Sequence, residues 1–172
     1  YGLNTEGVAT TTVNAKYLNG NQIAAYAERA VLVKSRTGSG KSVVARSIIE
    51  KYKDKRILVI VSSKVLSYST LSDMEEILPG KFAHYLSTNK PIDADYVVVT
   101  PQSLWRVHQG NPETHYDLIV CDEICSIARD IASRTCKHIE KVIEAWRYFM
   151  TECDQAFFFD AGIGNCELSL VR

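Results

Sequence analysis

Apolar runs recur along the chain at 30–33, 56–61, 96–99, 116–121 and 156–159. A strand with one face in water alternates apolar and polar side chains, so runs without that alternation predict strands covered on both faces. Between the runs the apolar positions change to helical spacing. Val44, Ala45, Ile48, Ile49 and Tyr52 follow the first run, and a helix from Lys64 to Leu78 follows the second, stopped by Pro79-Gly80. Helical patterns also fill 127–134 and 137–151, a short helix is expected within 14–27, and a further strand within 82–86. Residues 1–13, rich in Thr, Gly and Asn, read as an irregular lead-in to a single domain over 14–172.

Strands alternating with helices predict an α/β fold, a three-layer sandwich around a mainly parallel central sheet. The length of 172 residues suits one such domain. In open sheets of this kind ligands sit at the carboxyl ends of the strands. Lys41, Ser63, Thr100, Asp122, Glu123 and Asp160 all fall at those ends.

The most specific chemistry lies between the first strand and its helix, at Ser35-Arg36-Thr37-Gly38-Ser39-Gly40-Lys41-Ser42. A strand, a glycine-rich turn and a helix opening on Gly-Lys-Ser form the context of a phosphate-binding loop, or P-loop. Gly38 and Gly40 let backbone N–H groups converge on phosphate oxygens, and the helix adds its positive end. Lys41 is expected to reach the outer phosphates of a nucleoside triphosphate, and the Ser42 hydroxyl to bind Mg²⁺. Ser35 stands where the usual pattern has Gly or Ala, and it is small enough for the turn.

Asp122-Glu123, closing a buried run, supplies the second half of a triphosphatase site. Asp122 is expected to hold Mg²⁺ opposite Ser42, and Glu123 to act as general base on the attacking water. Asp160, before Ala161-Gly162, either couples to that acidic pair or caps a turn. Ser62, Ser63, Lys64, Thr100, Gln102 and Ser103 offer hydroxyl, amide and N–H groups to the phosphates of a nucleic-acid strand lying across the sheet. Hydroxyls at helix starts also serve as N-caps, so these residues carry both readings. Gln22 likewise reads as an adenine contact or as a surface residue.

Composition narrows the picture little. Twenty basic and 20 acidic residues cancel, so bulk charge gives no nucleic-acid footprint and any such contact rests on a local patch. No apolar run approaches the roughly 20 residues of a membrane-spanning helix. The five cysteines (121, 125, 136, 153, 166) lack zinc-knuckle spacing and suit a reducing intracellular compartment, with Cys121 and Cys125 packing as small hydrophobes. His84, His108, His115 and His138 show no metal spacing and read as surface or loop residues. Trp105 and Trp146 fall on expected helices, as packing residues. Tyr1 is not an initiator methionine, so the sequence reads as part of a longer or processed protein.

In order, 35–42, 62–64, Thr-Pro-Gln-Ser-Leu-Trp-Arg-Val at 100–107, the segment 116–126 around Asp122-Glu123, and Asp160-Ala161 resemble the first RecA-like domain of superfamily 2 helicases. They are most similar to the herpesvirus origin-binding-protein helicases and related primase-helicases of large DNA viruses. Asn14-Ala15-Lys16-Tyr17-Leu18 is similar to that family's lead-in. The resemblance implies ATP and Mg²⁺ as ligands, ATP hydrolysis coupled to movement on or unwinding of DNA in replication, and single-stranded or origin DNA as partner. For a viral protein it places the work at the host-cell replication site. It gives nucleotide binding to 35–42, hydrolysis to Asp122 and Glu123, and a coupling motif to Asp160, although Gly162 stands where the family has Thr. The family closes its site with arginines of a second RecA-like domain. Only Arg172 follows Asp160 here, so this chain is expected to be half a motor, weakly active alone.

Two other readings compete. A P-loop nucleoside or nucleotide kinase fits the length but not the absence of a basic lid. A non-hydrolysing nucleotide switch does not need Glu123.

Overall fold

The structure is a computed structural model that describes residues 9, 11–12, 15–133 and 136–163. Six strands form one sheet: β1 (Ala30–Lys34), β2 (Ile57–Val61), β3 (Ala83–His84), β4 (Tyr96–Val99), β5 (Leu118–Asp122) and β6 (Gln155–Asp160). Their order is β1-β6-β5-β2-β4-β3, and every pair is parallel. Among the described residues one α-helix precedes the first strand, α1 (Gly20–Ala24), and five lie between strands: α2 (Lys41–Lys51), α3 (Lys64–Ile77), α4 (Leu104–Gly110), α5 (Ile124–Ala132) and α6 (Ile139–Glu152), with a 3₁₀ turn at Pro101–Ser103 before α4.

Alternate residues of each strand enter different cores. Val33, Val59, Val61, Val98, Val120, Phe157 and Phe159 pack with Ala24 of α1, Val44, Ile48 and Ile49 of α2, and Met74 of α3. Leu58, Ile60, Val97, Val99, Ile119, Cys121 and Phe158 pack with Leu104 and Val107 of α4, Ile124 and Ile127 of α5, and Ala145, Trp146 and Phe149 of α6. A sheet buried on both sides has no position for a polar side chain except at strand ends, which explains the unbroken apolar runs. Burial also keeps the Cys121 and Cys153 thiols protonated by raising their pKa.

Of four local expectations one holds and three need correction. The short helix foreseen within 14–27 is Gly20–Ala24, capped by Asn19, whose Oδ1 accepts from the Gln22 N–H at 3.2 Å. Just before it the chain is held by the P-loop, Leu18 N donating to Ser39 O at 2.9 Å. The strand foreseen at 82–86 is only Ala83–His84, an edge strand that turns away where Ser87 N donates to His84 O. His84 is buried rather than on the surface. Its Nε2 meets Ser67 Oγ at 2.9 Å, its ring packs on Tyr68 and Tyr85, and burial lowers its pKa. The helix foreseen at 127–134 begins earlier, at Ile124, directly after Glu123. Most of the 1–13 lead-in, Asn14, Cys166 and Arg172 lie outside the described residues.

Candidate active site

Sheet order decides which strand ends meet. Across the carboxyl edge run the P-loop after β1, Asp160 ending β6, Asp122 and Glu123 at the end of β5, Ser62–Lys64 after β2, and Thr100–Ser103 after β4. Residues from all over the sequence thus form one row, with neighbouring strands about 4.8 Å apart.

The P-loop is tied at both ends. Ser35 N donates to Asp160 O at 3.0 Å, continuing the β1–β6 ladder, and the Ser39 hydroxyl donates to Ser35 Oγ at 2.9 Å. Gly38 and Gly40 have φ of 78° and 88°, the left-handed region where a side chain is strained, so the turn depends on both glycines. The Lys41 ammonium folds over the loop and donates to Ser35 O at 3.1 Å and Arg36 O at 3.0 Å. These carbonyls hold the cation at the mouth of the loop, where phosphate oxygens would replace them. Ser42 is exposed in the first turn of α2. The donor set therefore fits a triphosphate, and the hydroxyl of Ser42 with the carboxylate of Asp122 fits a hard divalent cation.

The Asp122 carboxyl is pushed above its usual range, first by burial and then by the charge of Glu123, while the Glu123 N–H and Lys41 oppose the shift. The influence of Lys41 on Asp122 places P-loop and acidic pair in one electrostatic environment. Glu123 is exposed and has φ 60°, ψ 57°, the only left-handed non-glycine among the described residues. Such a conformation is uncommon outside Asn, Asp and Gly, and it marks a position that the surrounding structure overdetermines. Its carboxylate accepts from the Ser62 hydroxyl at 2.6 Å.

Asp160 is tied to the acidic segment. One carboxylate oxygen accepts from the Cys125 N–H at 2.9 Å, two residues beyond Glu123, and the other from the Gly162 N–H at 2.8 Å. Burial alone would raise the Asp160 pKa, but the N–H groups of Gly162 and Cys125 outweigh it and lower the value.

The residues read as strand contacts flank Glu123 on the side away from the P-loop. Lys64 and Gln102 are exposed, Ser103 is half-buried and Thr100 is buried. The Ser63 hydroxyl accepts from the Leu66 N–H at 3.2 Å as the N-cap of α3. Gln22 is exposed on α1. Trp105 and Trp146 pack: Trp146 is buried in α6, and Trp105 lies against His138 and under Lys141.

Sequence reasoning missed the role of Ser62, since only strand register sets it opposite Glu123. It also missed a cluster at the other end of the sheet, where ligand atoms of His115, Asp117 and Asp154 lie within 4.8 Å of one another. Asp117 there already accepts from the Arg56 N–H at 2.7 Å, and His115 pairs with Asp154 at 3.2 Å. No spacing in the sequence announces that meeting of two loops.

The family model described as ResIII, type III restriction enzyme, res subunit, matches residues 8–152. No curated protein matches the chain significantly. Among solved structures, the Sulfolobus solfataricus SWI2/SNF2 ATPase core in complex with dsDNA is 17% identical, with a TM-score of 0.58 over 89% of this chain and 35% of that one. S. cerevisiae Dbp5 bound to RNA and ADP BeF3 is 15% identical, with a TM-score of 0.61 over 84% of this chain and 40% of that one. The UvsW helicase from Bacteriophage T4 is 16% identical, with a TM-score of 0.59 over 88% and 56%. At these identities the likeness establishes the fold alone, a RecA-like P-loop domain with a mainly parallel six-stranded sheet. The chain spans between 35 and 56% of the length of these structures.

Proposed function

The chain belongs to the family described as type III restriction enzyme, res subunit, and from that premise we propose that it is the ATP-hydrolysing half of a nucleic-acid motor. The observation that carries the reading is the row along the carboxyl edge, with Lys41 at the loop mouth and Asp122 within its electrostatic reach. The P-loop amides and Lys41 bind the triphosphate. Ser42 and Asp122 hold Mg²⁺, which when bound neutralises charge developing on the phosphates. Glu123 takes a proton from the attacking water. Asp160, whose backbone carbonyl accepts from the P-loop's Ser35 N–H and whose carboxylate accepts from the Cys125 N–H of α5, links the nucleotide side to the segment after Glu123. Ser63, Lys64, Thr100, Gln102 and Ser103 form the face for a strand's phosphates.

A second RecA-like domain in the whole protein completes the site with arginines, in keeping with the share of each solved structure that this chain spans. Such arginines contribute about 10³–10⁵ in rate in related NTPases. DNA in replication, with the origin-binding-protein subfamily and a viral setting, is the finer reading. It rests on the sequence strings at 100–107 and 116–126. The test is ATP hydrolysis by the full-length protein with and without single-stranded DNA. Stimulation by DNA supports the motor. Transfer of phosphate to a nucleoside without a DNA response would turn the reading to a kinase.

A further inference from the structure

β2 and β5 pair in register with Val61 opposite Asp122, so the next residues outward, Ser62 and Glu123, face each other across the edge. The Ser62 hydroxyl donates to the Glu123 carboxylate at 2.6 Å, a short bond to a charged acceptor. In the sheet order β2 lies beyond β5 as seen from β1, so this bond draws the carboxylate to the side of β5 opposite the P-loop. β1 and β5 are separated by β6, about 10 Å in all, a gap that Glu123 must span to serve a water at the outermost phosphate. The left-handed backbone at Glu123, φ 60°, fixes where the side chain starts, so its swing between the two sides is the remaining freedom.

We propose that Ser62 is a positioning residue that clasps Glu123 in a resting orientation, and that a nucleic-acid strand engaging the adjoining Ser63-Lys64 segment releases it. The proposal rests on the reading of Glu123 as the hydrolytic base. Ser62 immediately precedes the N-cap of α3, so a strand phosphate drawn to the exposed Lys64 and the start of that helix lands beside the clasp. A phosphate oxygen is an acceptor for the same hydroxyl and competes with the carboxylate. Occupancy of the strand face is thereby reported to the nucleotide site through one hydrogen bond.

The experiment is steady-state ATP hydrolysis by the full-length protein, wild type, Ser62→Ala, Ser62→Thr, Glu123→Gln and the Ser62→Ala/Glu123→Gln double variant, with and without single-stranded DNA. Melting temperature and the Kd of a fluorescent ATP analogue are followed alongside. Ser62→Ala raises the DNA-free kcat by about tenfold, in keeping with loss of a hydrogen bond to a charged group, and so lowers the ratio of stimulated to unstimulated rate. Ser62→Thr keeps the hydroxyl and rescues the ratio, and in the Glu123→Gln background Ser62→Ala adds nothing. A purely structural serine would move the melting temperature or the Kd instead. An unchanged or lowered DNA-free kcat in Ser62→Ala, with Glu123→Gln inactive, overturns the clasp and leaves the motor reading standing. Equal turnover by wild type and Glu123→Gln overturns both.

Discussion

The two ends of the sheet are built on opposite plans. At the amino end, polar side chains fasten strands to their neighbours. Gln155 donates to Tyr26 O at 2.7 Å and Glu28 O at 2.8 Å and accepts from the Tyr52 hydroxyl. Arg29 donates to the carbonyls of Met150, Thr151 and Cys153, Tyr116 to Ala94 O at 2.9 Å, and Asp117 receives the Arg56 N–H. At the carboxyl end the polar groups hold substitutes or each other. Lys41 sits on loop carbonyls, the Glu123 carboxylate leans on Ser62, and Asp122 is desolvated beside a second carboxylate. The left-handed residues Gly38, Gly40 and Glu123 also lie there. Satisfied hydrogen bonds at one end stabilise the fold. On the proposed reading the groups at the other end are free to meet a ligand, so mutations there are expected to separate activity from stability.

The comparison breaks if substitutions at the upper edge unfold the chain. Glu123→Gln is expected to lower ATP turnover by about 10²–10⁴ with nucleotide affinity and melting temperature retained, measured by phosphate release in the full-length protein. Lys41→Ala is expected to weaken nucleotide binding by about tenfold to a hundredfold, the worth of hydrogen bonds to charged groups, with the fold intact by circular dichroism. At the lower end the signs reverse. Gln155→Ala leaves the Tyr26 and Glu28 carbonyls and the Tyr52 hydroxyl without their partner and is expected to cost about 1–3 kcal/mol in denaturant unfolding, while nucleotide affinity of the folded fraction is unchanged.

The smallest expected effect is on pH dependence. His84, buried against Ser67, Tyr68 and Tyr85, has a lowered pKa. Below the unfolded value of about 6.5 the unfolded chain binds the proton and the folded one resists it, so stability is full above that pH and falls as pH drops toward the folded value. Replacing His84 with Gln is expected to flatten the stability profile below neutral pH, read from unfolding curves across that range.

Much of this division is written in the sequence. Unbroken apolar runs announce strands covered on both faces, and a glycine pair before Lys41-Ser42 announces a phosphate loop, because each is a local pattern with one physical cause. What depends on neighbours is silent. Ser62 and Glu123 are 61 positions apart and meet only because β2 and β5 pair in register. His84 sits in an ordinary-looking segment whose burial comes from α3 folding over the edge strand. The bond from Leu18 N to Ser39 O, which holds the chain before α1 against the P-loop, leaves no mark in periodicity. Gln155 stands just before the apolar run 156–159, and nothing local marks it as the buried fastener between strand starts that it is.

The central claim is that the carboxyl edge is a triphosphate site and the amino edge a clamp. Its most direct test is titration of a fluorescent ATP analogue with Mg²⁺ into wild type, Lys41→Ala and Gln155→Ala, each well below its melting temperature. The account predicts equal binding by wild type and Gln155→Ala and binding about tenfold to a hundredfold weaker in a folded Lys41→Ala. Equal binding by wild type and Lys41→Ala, or no binding by wild type, would contradict it.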